Sequence, residues 1–131
     1  MKLVVLTFAS ADFAQSAEVL RHSAVHVGGA DAVVIRTPAS VADHLADLGV
    51  SPDDRGCGFW AWKPRIIAEQ LDVMDDGDVL LYLDAATIVE ADLREALLVD
   101  DPARDPAWNI KLFRLGEAEA KFYIAEVVLA L

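Results

Sequence analysis

Cysteine is nearly absent from this chain of 131 residues: Cys57 stands alone, which excludes an internal disulfide and a cysteine-based zinc site and suits a reducing compartment. Positive charge is scarce as well. Eleven Lys and Arg face twenty-two Asp and Glu, a formal net charge of -11. A phosphate backbone would be repelled over most of such a surface, so nucleic acid is not an expected partner. Although 55% of the residues are hydrophobic, no uninterrupted apolar run reaches the roughly 18 residues that a membrane span requires. The opening "MKLVVLTFASADF" has one Lys and a run too brief for a secretory signal, and its pattern continues directly into a helix. The expectation is a soluble, cytoplasmic protein without a transmembrane segment. No internal repeat or low-complexity linker divides the chain, and its length suits one domain, 1–131.

What is present is an alternation of strand and helix. "LVVL" at 3–6 is a continuous apolar run of the kind buried on both faces of a parallel sheet. After it, Phe13, Ala17, Leu20, Ala24 and Val27 recur at helical spacing until "GG" ends the pattern. "DAVVIRTP" predicts a second strand, and "SVADHLADLG" a short helix with Ser40 as N-cap and Gly49 at its end. "VSPDDRGCG" reads as a loop. Pro64 then suits the first position of a third helix with Ile67, Leu71 and Met74 on its apolar face. "VLLYLD" predicts the most apolar strand, ending at Asp84, followed by an amphipathic segment from about Asp92 to Leu98. "AWNIKLF" suits a further strand, and "EAEAKFYIAEVVLAL" reads as a helix apolar on more than one side. Such a helix wants a cover, which a homodimer could supply. The alternation predicts an α/β layered sheet with mostly parallel strands, whose ligands bind beyond the carboxyl ends of the strands.

Several side chains fall at that edge. A carboxylate at Asp84, directly after a buried strand, could coordinate a hard cation that also binds phosphate oxygens, or could simply cap the next turn. Lys63 and Arg65 flank Pro64 at the expected helix start, with Arg55 shortly before. Cations there oppose the helix dipole, a conflict that a bound anion would relieve; pairing with the abundant carboxylates is the alternative. Trp60 and Trp62 are two apart, so in an extended segment both would face one way, either to stack on a base or to pack in the core. His22 and His26 are four apart on a predicted helix with no third metal ligand nearby, and read as a solvated pair.

From Arg55 to Val89 the sequence resembles bacterial sugar-nucleotide glycosyltransferases of the GT-A fold. That group carries a Gly-x-Gly-aromatic-Trp-x-Trp-Lys-Pro stretch, an amphipathic helix, an Asp-Gly-Asp turn and a Leu-Tyr-x-Asp-Ala strand end. Here these are Gly56, Gly58, Phe59, Trp60, Trp62, Lys63 and Pro64, then Asp76, Gly77 and Asp78, then Leu81, Tyr82, Asp84 and Ala85. The resemblance implies a Rossmann-like GT-A sheet that binds a nucleoside diphosphate sugar, usually with Mn²⁺ or Mg²⁺, and transfers the sugar to a hydroxyl acceptor. It implies that Thr7 and Phe8 border the nucleotide, that Trp60, Trp62 and Ala85 belong to the same site, that Lys63 or Arg65 meets phosphate or ribose, and that Asp84 binds the metal. Two departures stand out. Ala86 occupies a position where the group has a second acid or a glycine, and the chain lacks much of the acceptor half that such enzymes build from roughly a hundred further residues. A non-catalytic nucleotide-binding or assembly module of the same fold is the alternative expectation. "LDAAT" also echoes the nucleophile motif of aspartyl-phosphate phosphatases, but lacks its second Asp and sits on a late strand.

Overall fold

The computed structural model describes residues 1–98 together with the strands at 110–113 and 125–129, and the side chains up to residue 95. Strand β1 (Leu3–Phe8) is followed by helix α1 (Ala14–His26), and strand β2 (Ala32–Arg36) by the short helix α2 (Ala42–Asp47). A five-residue helical turn, α3 (Arg55–Phe59), leads into α4 (Trp62–Leu71). Then come β3 (Val79–Tyr82), α5 (Leu93–Leu98), β4 (Ile110–Phe113) and β5 (Ala125–Leu129).

Side-chain alternation on β1 and β3 builds two cores, one on each face of the sheet. Leu3, Val5, Val79 and Leu81 face one way and pack on Leu20 and Ala24 of α1. Val4, Leu6, Phe8, Leu80 and Tyr82 face the other, against Leu45 of α2 and Trp62 and Ile66 of α4. Both faces are therefore covered, which is why "LVVL" and "VLLYL" are unbroken apolar runs. The expected α/β layering is present, and its details differ in instructive ways. On α1, Ala17, Leu20 and Ala24 are buried as expected, whereas Phe13 and Val27 at its two ends are about half exposed. On α4 the fully buried residues are Trp62 and Ile66, with Ile67, Leu71 and Met74 at the margin of the core. Pro64 is the third residue of that helix, because the apolar indole of Trp62 is drawn into the core two positions earlier. Nor is Ser40 an N-cap. It lies at the third position of a 3-10 turn (Pro38–Val41), where its hydroxyl accepts the Thr37 N–H and donates to the Thr37 carbonyl.

The sheet order is β2-β1-β3-β5-β4. The first three strands are parallel, while β5 runs antiparallel to β3 and β4 antiparallel to β5. The strand expected in "AWNIKLF" is found at Ile110–Phe113. The helix expected over 117–131 is not: Ala125–Leu129 is a strand, and the rest of that stretch lies outside the described residues. Those five residues are hydrogen-bonded to β3 on one side and to β4 on the other.

Two polar anchors hold the layers in place. The buried Ser23 hydroxyl donates to the Leu20 carbonyl and accepts the Val89 N–H at 3.0 Å, tying α1 to the segment after β3. At the start of β1, Asp31 accepts the Leu3 N–H at 2.7 Å and pairs with Arg94. The Leu3 hydrogen bond and then the Arg94 charge hold its carboxyl below the usual value of 3.8. A lowered folded-state pKa means that Asp31 contributes its full stabilisation above the unfolded-state pKa and loses it as pH falls through the folded one. The stability difference between wild type and Asp31→Asn should therefore be constant at neutral pH and shrink below about pH 4. Urea midpoints measured across pH check this, and a difference that persists unchanged into strong acid would refute it.

Candidate functional site

β1 has β2 on one side and β3 on the other, so the chain winds outward in both directions from β1. Such a switch point leaves a crevice beyond the carboxyl ends of the strands. A cleft of about 420 Å³ lies there. Its walls include Phe8 at the end of β1; Tyr82, Asp84, Ala85 and Ala86 from the end of β3 and beyond; Phe13 near α1; and Gly56, Cys57, Trp60 and Trp62 from α3 and α4.

The wall made by α3 has unusual backbone geometry. Gly56, Cys57, Gly58, Phe59 and Trp60 carry positive φ values of 65°, 53°, 89°, 56° and 56°. Five consecutive residues thus form a left-handed helical turn, in which each non-glycine residue costs roughly 1–2 kcal/mol. The surrounding contacts explain how it persists. The Trp62 indole N–H donates to the Gly56 carbonyl at 3.0 Å, and Gly58 is buried against Leu45 and Val50. Gly56 is needed for space as much as for φ, since a Cβ there would lie 2.4 Å from the Trp60 ring.

This turn separates the two tryptophans that an extended segment would have aligned. Trp62, 4% exposed, stacks on Phe8 with ring centroids 3.8 Å apart and planes 13° from parallel, and is the floor of the cleft. Trp60, 48% exposed, is a side wall with ring surface open to solvent, and Phe13, 50% exposed, lines the cleft too. The Tyr82 hydroxyl donates to Asp84 Oδ1 at 3.3 Å, which orients that carboxylate at the carboxyl edge of β3.

The expected site residues are thus divided. Phe8, Trp60, Trp62, Asp84 and Ala85 line one cleft. Thr7 does not, because neighbouring strand residues point to opposite faces; its fully buried hydroxyl has no hydrogen-bond partner among the described residues. Lys63 sits beside the cleft, with Nζ 4.6 Å from the centre of the Tyr82 ring. Arg65 does not line it and instead pairs with Glu69 at 2.5 Å, which Arg36 also holds at 2.8 Å. These two guanidinium groups lower the Glu69 carboxyl, Arg36 foremost. Sequence reading misses Phe13 as a cleft residue by assigning it to the core face of α1, and gives no part of its own to Arg55, whose guanidinium lies 5.6 Å from the Trp60 ring centre. His22 and His26 are exposed on α1, with ring centroids 4.4 Å apart.

Among the described residues no group of three or more His, Cys, Asp or Glu side chains is placed to hold a metal by itself. Divalent magnesium commonly takes one or two carboxylates and completes its shell with phosphate oxygens and water. Asp84, exposed to the cleft with one oxygen steadied by Tyr82, fits that minimal protein contribution. Fold and site together define an α/β domain with an aromatic, switch-point cleft. The chain matches no protein-family model, no curated protein and no solved structure. No helix among the described residues is long and apolar enough to cross a membrane.

Proposed function

We propose that the cleft binds a nucleoside diphosphate sugar and that the protein is a GT-A-type glycosyltransferase acting on a hydroxyl acceptor. The observation that carries this reading is the convergence, in one crevice at the carboxyl ends of β1 and β3, of an open indole wall at Trp60 and a carboxylate at Asp84. A flat aromatic surface suits a base, and the carboxylate suits a cation-bound diphosphate. The motif resemblance running from Arg55 to Val89 supports the same reading. In the transfer, the acceptor oxygen forms a bond to the anomeric carbon, the bond from that carbon to the diphosphate breaks, and the hydroxyl proton passes to the medium. Asp84 would hold Mn²⁺ or Mg²⁺, which when bound neutralises charge developing on the diphosphate leaving group. Lys63 would add a second positive charge from across the Tyr82 ring.

A second reading is a nucleotide-binding module without transfer. It is favoured by the lining itself, in which Asp84 is the one ionisable carboxylate among the described residues and Ala86 stands two positions on. Both readings require nucleotide binding; only the first requires turnover.

Calorimetric titration with UDP, GDP, CDP and dTDP, each with and without Mn²⁺, is the test. One of them should bind in a metal-dependent manner, and at about a hundred times its Kd should stabilise the fold by roughly 2.7 kcal/mol. Asp84→Ala should melt like the wild type yet lose the Mn²⁺-dependent gain in affinity, at least about tenfold. An identical Mn²⁺ dependence in the variant would exclude Asp84 as the metal ligand. If none of the four nucleotides binds, the nucleotide-sugar reading is wrong.

A further inference from the structure

The cations near the cleft fall into two electrical states. Arg65 and Arg36 share the Glu69 carboxylate, so their charge is compensated at short range. Arg55 and Lys63 take part in no ion pair among the described residues. Each instead rests near an aromatic ring that lines the cleft, the Arg55 guanidinium 5.6 Å from the Trp60 centroid and the Lys63 ammonium 4.6 Å from that of Tyr82. An aromatic face holds a cation in place through its quadrupole without supplying a neutralising charge. Neither cation is therefore compensated by an ion pair among the described residues, in a chain whose net charge is -11. The left-handed turn of residues 56 to 60 lies between Arg55 and Lys63 in the chain, and each of the two cations rests against a ring that lines the same cleft.

We propose that Arg55 and Lys63 form a two-point clamp for a diphosphate group, and that Arg65, despite its place beside Pro64, is no part of it. The inference rests on the nucleotide-sugar reading for the identity of the anion, and it assigns the phosphate contacts within that site. Arg55 supplies planar, bidentate donors to one phosphate, and Lys63 a compact charge to the other, nearer Asp84. Trp60 then has two roles at once, as a wall for the base and as the rest on which Arg55 waits.

The test compares Arg55→Gln, Lys63→Gln and Arg65→Gln, with Arg55→Lys as the variant that keeps charge. The probes are the nucleoside diphosphate that binds, its parent nucleoside and inorganic pyrophosphate, with melting curves as the check on folding. Arg55→Gln and Lys63→Gln should each weaken diphosphate binding on the order of tenfold and leave nucleoside binding unchanged. Arg55→Lys should recover part of the loss, and Arg65→Gln should bind like the wild type. Unchanged diphosphate affinity in Arg55→Gln would overturn the clamp while leaving the nucleotide reading intact, as would an equal loss in Arg65→Gln. An equal loss of nucleoside and diphosphate in Arg55→Gln would overturn it too, showing that Arg55 only steadies Trp60. Pyrophosphate bound through Arg55 and Lys63 without any nucleotide would uphold the clamp and sink the nucleotide reading. A wild type that binds none of the anions would overturn both.

Discussion

Trp62→Ala should be the most damaging single substitution in the described fold, with an expected loss of roughly 3–5 kcal/mol. The indole is 4% exposed, stacks on Phe8 at 3.8 Å, lies 6.5 Å from the Tyr82 ring and donates to the Gly56 carbonyl. Removing it opens a cavity on one face of the sheet and releases the tie that holds the left-handed turn. Melting should fall by roughly 10–20 °C. Trp62→Phe narrows the comparison, since it keeps an aromatic ring in the core while deleting the donor and part of the ring volume, at a cost nearer 1–2 kcal/mol. Urea unfolding of both variants reads the difference. A loss below about 1 kcal/mol for Trp62→Ala would mean that the ring is not part of the core.

Gly58→Ala carries the second large effect, about 2–5 kcal/mol, from two sources. At φ +89° an alanine is strained by roughly 1–2 kcal/mol, and overpacking of a filled core adds about 1–3. The new Cβ would lie 2.9 Å from Leu45 Cδ2 and 3.3 Å from Val50 Cγ2. Gly77 provides the control. Its φ is +86° and a Cβ added there would meet nothing within 4 Å, so Gly77→Ala meets the backbone strain alone. The gap between the two variants, read from urea midpoints, measures how tightly α2 closes on the turn. Equal losses would show that Leu45 moves aside freely.

The readable parts of this fold are those in which one local rule decides the outcome. β1, β2 and β3 announce themselves by apolar or β-branched runs, and α1 by the spacing of Ala17, Leu20 and Ala24. The cleft is legible because strand alternation with helices predicts an edge, and Phe8, Trp60, Trp62, Asp84 and Ala85 do meet there. What escapes is set by tertiary contacts. "GCG" signals a turn, but nothing local tells that Cys57, Phe59 and Trp60 will share its left-handed conformation; that depends on Trp62 burying itself against Phe8. A short apolar run is compatible with either a buried helix or a buried strand, and the free edge of β3 decides for a strand at Ala125–Leu129. Arg65 and Arg55 look alike in sequence, and only the position of Glu69 one turn along α4 distinguishes the paired cation from the unpaired one.

The sheet order also has a consequence for how the protein is made. β3 lies at the centre of the sheet, and the partner on its outer edge is β5, more than forty residues later in the chain. When β3 has left the ribosome and docked beside β1, the edge formed by Val79–Tyr82 still lacks that neighbour. Translation proceeds at about 5–20 residues per second, so this edge stays open for roughly 2–9 seconds before β5 emerges in its turn. An unpaired apolar strand is a template for pairing with another nascent chain. The crowding of newly made chains, more than the stability of the finished domain, should therefore govern the yield of folded protein, and slower initiation or holdase chaperones should raise it.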